Sequence, residues 1–134
     1  MQPSEARIIH VTIHRDWREV YDFACQPQNM GQWAAGLAAG LRKVGAEWIG
    51  DGGPLGFIRV RFVEKNPFGV IDHEVILPDD VSVHNALRVV PNGDGAEVMF
   101  TLIRQPGMDD ASFEADAAAI ARDLSSLKSL LEKG

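Results

Sequence analysis

A chain of 134 residues with 46% hydrophobic and 24% charged side chains has the size and mix of one globular domain with a single core, read here as one unit over residues 1–134. A formal net charge of −6, with no clustered basic stripe, argues against a nucleic-acid or anionic-membrane surface. Cys25 stands alone, which excludes an intrachain disulfide and a thiolate metal cluster, and with no leader-like apolar run and no stretch near the ~20 apolar residues of a membrane span, the expected compartment is the cytoplasm.

Arg7 to His14 alternates, with Ile9, Val11 and Ile13 on one face and His10, Thr12 and His14 on the other, the pattern of a half-buried strand. Asp16 is placed to cap a helix that carries Trp17, Val20, Tyr21 and Ala24 at helical spacing. Pro27 ends that helix and opens a second short one over Gln28 to Trp33, and the small, glycine-bearing segment Ala34 to Gly40 reads as a loop.

The period then changes to two. Leu41 to Ile49 reads as a strand with Val44, Ala46 and Trp48 on one face, and GDGGPLG (50–56) as a turn cluster. Phe57 to Glu64 follows, with Ile58, Val60 and Phe62 opposite Arg59 and Arg61. GVIDHEVIL (69–77), Val81 to Val90 and Ala96 to Arg104 complete the strands, the last two joined by the hairpin signal PNGDG. That makes about six strands, five of them consecutive and short-linked, hence an antiparallel meander. After PGMDD, Asp109 or Asp110 caps a long amphipathic helix whose stripe is Phe113, Ala117, Ile120, Leu124, Leu127 and Leu131.

A sheet polar on one face must bury the other, and only the C-terminal helix is long enough to cover it. Such an α+β layout tends to leave a cavity between sheet and helix, a natural small-molecule site. The stretches IHRDWREVYDFACQPQNMGQW, FGVIDHEVIL, NALRVVPNGDGAEVMFTLIRQPGMDDASF and DLSSLKSLLE, in that order, resemble the SRPBCC superfamily, which includes birch-pollen-allergen-like proteins, START lipid-binding domains and polyketide cyclase-like proteins. The likeness spans nearly the whole chain and is nearest to the small bacterial members. It implies a helix-grip fold, a curved antiparallel sheet wrapped on the long C-terminal helix with two short helices after the first strand, and a ligand cavity. It implies no reaction and no shared catalytic residue, because the superfamily hosts binders, carriers, cyclases and chaperone cofactors.

In GVIDHEVIL, Ile71, His73, Val75 and Leu77 form the more apolar face, so His73 points inward while Asp72 and Glu74 point to water. The next strand turns Val81, Val83, Asn85, Leu87 and Val89 the same way, which makes His73 and Asn85 candidate cross-strand neighbours. His73 is either a core histidine satisfied by one hydrogen bond, a polar anchor for a ligand, or a general acid or base. The candidate ligand-binding set is Met30, Trp33, Trp48, His73, Asn85, Leu87, Phe100, Met108, Phe113 and Ile120, with Met30 and Met108 at the cavity mouth. Arg59, Arg61, Arg88 and Arg104 read as outer-face charges paired with Glu64, Asp72, Glu74 and Glu97, with Arg88 the one to test as an inward carboxylate binder. No metal site is expected, since His10 and His14 are four apart on a strand without a partner motif, and no cofactor motif is found.

The expected function is binding of a small hydrophobic or amphipathic molecule, by a monomer or homodimer. The alternatives are a polyketide cyclase or dehydratase-like enzyme using His73, and a protein-interaction or chaperone-cofactor module.

Overall fold

The computed structural model describes residues 2–37 and 40–133. The first strand, β1 (Ala6–Ile13), leads into helix α1 (Trp17–Ala24), whose first turn is closed by Asp16 accepting from the Arg18 N–H at 2.8 Å. Two 3-10 turns follow, Pro27–Gln32 and Ala35–Leu37. The second falls where a loop was expected, with Ala38 and Ala39 of that loop outside the described residues. Then come β2 (Leu41–Val44), β3 (Glu47–Asp51), β4 (Phe57–Phe62), β5 (His73–Ile76), β6 (Ser82–Asn92), β7 (Gly95–Ile103) and helix α2 (Asp110–Glu132).

The strands make one open antiparallel sheet in the order β1-β7-β6-β5-β4-β3-β2, a meander from β2 to β7 with the first strand returned to its far edge. With α2 gripped against it, this is the α+β helix-grip arrangement.

The seventh strand arises because the expected strand Leu41–Ile49 is a hairpin, with Val44 opposite Glu47. Gly45 sits in its two-residue turn at φ 62°, a backbone conformation that glycine reaches without the clash a Cβ would bring. Val44 therefore does not share a buried face with Trp48; it is exposed, while Trp48 lies inward opposite Val60.

The stretch GVIDHEVIL also divides. Only His73–Ile76 is laddered on both sides. Its first half runs along β6 through Ile71 N–H donating to Leu87 and Val89 N–H donating to Gly69. Gly69 has φ 74°, and a Cβ there would overlap the Val89 carbonyl, so the close approach of the two backbones needs glycine. The loop before it is tied by Asn66, whose side chain accepts from the N–H groups of Phe68 and Val70 and donates to the carbonyls of Glu64 and Val70. Tyr21 of α1 accepts from the Asn66 N–H at 2.8 Å, so helix and loop are joined.

Helix α2 begins at Asp109, which accepts from the Ser112 N–H at 2.8 Å. Its buried residues are Phe113, Ala117, Leu124 and Leu127, the stripe expected from their spacing. The helix lies along β1 and touches β7. Arg7 grips Glu114 at one end, while the His14 N–H donates to Glu132 and Lys128 donates to the Thr12 carbonyl at the other. Phe113, 1% exposed, sits under two guanidiniums, with Arg7 Cζ 4.9 Å and Arg104 Cζ 5.6 Å from its ring centre. Fully burying such a side chain contributes about 2–3 kcal/mol. The backbone of α2 thus runs closest to β1 and β7, while its Leu124 and Leu127 join the buried cluster that also holds Val60, Ile71 and Leu87.

Candidate functional site

The inner face of the sheet can be read row by row from the strand register. One row runs Phe62, His73, Asn85, since Phe62 faces His73 and His73 faces Asn85. The row on one side is Trp48, Val60, Val75 and Val83. On the other side Ile71 lies against Leu87, which pairs with Phe100, which pairs with Ile9. The side chains named in these rows are apolar or aromatic except His73 and Asn85, and the row of Trp48 ends at the exposed Lys43 on β2.

His73 is half-buried. Its Nδ1 lies 2.9 Å from the Ile71 carbonyl oxygen, an acceptor only, so Nδ1 carries the ring hydrogen and donates. Nε2 is then the acceptor and faces Asn85 Nδ2 at 3.5 Å, a stretched contact. Burial pushes the imidazole pKa below its ordinary value, against the opposing influence of the Ile71 carbonyl and the Asp72 carboxylate, so the ring is neutral at physiological pH. The Phe62 ring lies 5.1 Å from the imidazole at 31°. Phe62 is the member of this group that sequence reasoning did not select. Strand alternation put it on the inner face, but which residue it meets depends on the register between β4 and β5.

Asp72 does not stand free in water. Its side chain is 14% exposed on the outer face, held by Arg88 through Nη2 at 2.7 Å and Nε at 3.2 Å and by the Leu87 N–H at 3.0 Å. Burial works to raise its pKa, but the Arg88 guanidinium and the Leu87 N–H outweigh it and hold the carboxyl below its usual range. Arg88 is accordingly an outward residue with a carboxylate already in its grasp, not an inward carboxylate binder. Glu74 does face outward and accepts from the Ser82 hydroxyl.

The other sheet arginines choose different partners from those expected. Arg59 and Arg61 converge on Glu47, and Arg59 also meets Asp80. Arg104 binds Glu5 and Asp110. Glu97 is held instead by His10, Thr12 and Asn92.

Of the remaining candidates, Met30, Trp33 and Leu87 are buried in the main core cluster, with Trp48, Phe100 and Ile120 packed against it. Met30, at 3% exposure, is an interior residue and not a residue of a mouth. Trp33 Nε1 is buried and finds no acceptor among the described residues. Phe113 and Met108 belong to a second cluster beside Leu102, with Phe100 and Ile120 packed against both. Two shallow surface depressions of about 370 and 380 Å³ lie elsewhere, one along Gln32, Ser125 and Ser129, the other along Thr12, His14 and Asp94, and neither contains any of the candidate residues. The inner-face group is a partly buried sheet surface, with Val60, Ile71 and Leu87 sealed and the others in part accessible, and neither depression opens onto it.

Among the described residues no cluster of His, Cys, Asp and Glu gathers at metal-binding distances, and no helix is long and apolar enough to cross a membrane. Large apolar side chains missed in the sequence as surface features are Phe57, at the start of β4, and Phe68, in the turn before Gly69, exposed by 73% and 76% outside the rows above.

The class of protein defined by this architecture is a helix-grip α+β domain with one uncharged polar pair on its inner sheet face. No family model and no curated protein sequence matches the chain. Solved structures match it in fold. DynU16, from the dynemicin biosynthetic locus, is 16% identical with a TM-score of 0.73 over 97% of this chain and 48% of that one, so this chain spans about half of DynU16. CalU16 from Micromonospora echinospora is 12% identical over 96% of this chain and 74% of its own, with a TM-score of 0.69. The Aha1 dimer from Colwellia psychrerythraea is 14% identical over 96% of both chains, with a TM-score of 0.75. At these identities the likeness is one of fold.

Proposed function

We propose that this protein is an SRPBCC-type ligand-binding domain that holds a small apolar or amphipathic molecule on the inner face of the sheet beside α2. The observation that carries this reading is the half-buried pair His73 and Asn85, set among Phe62, Val60, Val75, Val83 and Leu87 on the inner face of the sheet. Apolar walls supply affinity by losing water, and a few placed polar groups supply orientation. The fold shared with DynU16, a protein of a biosynthetic locus, supports a small organic molecule as the ligand.

A thermal-shift and native mass-spectrometry screen with fatty acids, sterols and polycyclic phenols tests the proposal. A ligand should raise Tm in the wild type and fail to do so in Val75→Glu, which places a charge in the middle of the face. A wild type that takes up none of these classes overturns the reading.

A second reading, an enzyme of the cyclase or dehydratase type, is favoured by one observation: His73 is neutral and its Nδ1–H is anchored, so Nε2 presents a lone pair inward. In that reading His73→Gln should keep ligand uptake and abolish turnover. Retained turnover would remove it. For assembly, monomer and homodimer are both compatible with the helix-grip fold, one solved example of which is the Aha1 dimer.

A further inference from the structure

We infer that the polar centre of the inner face takes a ligand hydroxyl, so that the molecule bound there is a neutral alcohol or phenol on an apolar body and not a carboxylate. This rests on the binding reading above and narrows it to a chemical class.

The hydrogen-bond inventory leads to it. The Ile71 carbonyl accepts from Nδ1, which commits Nε2 to accepting. The nearest donor to Nε2 is the Asn85 amide, but at 3.5 Å the bond is at the limit of usefulness, and an amide nitrogen has two hydrogens to place. One acceptor and one donor thus stand side by side, each incompletely used. A hydroxyl is the smallest group that donates and accepts at once, so it can give its hydrogen to Nε2 and take one from Asn85 Nδ2. A carboxylate only accepts. It would set its charge against the Nε2 lone pair, and burial without a cation is costly.

Among the described residues no cation is paired with this group in the strand register to offset that cost. The side chains around the pair, namely Val60, Phe62, Ile71, Val75, Val83 and Leu87, carry no charge. Arg59 and Arg61 are engaged by Glu47, Arg88 by Asp72, Arg7 by Glu114, and Arg104 by Glu5 and Asp110. Lys43, which shares the inward parity of Trp48, lies on β2, three strands from His73 in the sheet order. Phe62, tilted against the imidazole, gives an aromatic body a surface to lie on beside the hydroxyl position.

Three probes of matched shape test the inference: 2-naphthol, 2-methylnaphthalene and 2-naphthoate, titrated at neutral pH and followed by nitrogen-detected NMR of the histidine side chains. The expected result is that 2-naphthol binds about tenfold more tightly than 2-methylnaphthalene and than 2-naphthoate, and shifts the His73 Nε2 resonance. In Asn85→Leu and His73→Phe the advantage of the naphthol over 2-methylnaphthalene should vanish. The inference is overturned if 2-naphthoate binds as tightly as 2-naphthol, if the naphthol advantage survives both substitutions, or if the naphthol binds without moving the His73 nitrogen. That last measurement needs no variant, so a substitution that disturbs folding does not remove the test. Should none of the three probes bind the wild type, the hydroxyl inference fails and the binding proposal stands or falls on the wider screen with fatty acids and sterols; binding without hydroxyl preference defeats the inference alone.

Discussion

The two halves of the sheet obey the same alternation rule and end in different states. On one side lie β1, β6 and β7, of 8, 11 and 9 residues, with Ile13, Val89 and Val98 wholly buried. On the other lie β2 to β5, of 4 to 6 residues, where inward residues such as Trp48, Phe62, His73 and Val75 keep part of their surface. The difference is one of degree: α2 lies along β1, while on the shorter strands Leu41, Ile58 and Val60 are buried in one cluster with Met30, Trp33 and Leu127 and the residues around them stay partly open. Alternation decides which face a side chain points from. Whether that face is sealed depends on what is laid over it.

The seam between the halves is the most sensitive place to disturb. Gly69→Ala should destabilise by about 3 kcal/mol or more, because the new Cβ meets the Val89 carbonyl in a left-handed backbone conformation. Urea unfolding measures it, and a loss under about 1 kcal/mol would mean that the backbone at Gly69 has room to move away from β6.

The halves themselves are compared by two equal truncations. Phe113→Ala, in the sealed half, should cost about 3–5 kcal/mol. Phe62→Ala, at a half-exposed position, should cost about 1–2 kcal/mol, since water can enter the space left. Equal losses would show that the β2–β5 half is sealed as well.

Asp72→Asn should cost about 1–2 kcal/mol by weakening the contacts to Arg88 and the Leu87 N–H. Because the folded pKa of Asp72 is lowered, its contribution is fully present above the unfolded value of about 3.9 and is lost as pH falls through the folded value. A pH series of denaturation midpoints on Asp72→Asn should lack that acidic segment.

His73 acts at a higher pH. Its folded pKa is also lowered, so the unfolded chain takes up a proton first, and stability declines as pH falls below about 6.5 toward the folded value. His73→Gln should flatten that segment, and an unchanged profile would place the loss on another group.

The smallest effect is expected at Trp33. Its indole nitrogen has no acceptor among the described residues, so Trp33→Phe keeps the aromatic packing, removes an unmatched donor, and should change stability by no more than about 1 kcal/mol. A much larger loss would show that the indole hydrogen bond is made after all.

Much of this was legible from local spacing. The face assignment of β1, the Asp16 and Asp109 caps, the stripe on α2 and the inward position of His73 opposite Asn85 follow from periods of two and 3.6 residues and from capping chemistry, which act within a few neighbours along the chain. The hairpin at Gly45 was hidden because a single glycine in an apolar run reads equally as strand or turn.

What only the tertiary structure decided was partnership between distant segments. It gave Asp72 to Arg88 and Glu47 to two arginines, set Phe62 against His73, put β1 beside β7, and laid α2 along β1. Periodicity fixes the direction of a side chain relative to its own backbone. Register and layer packing fix what it meets, and those depend on contacts tens of residues apart.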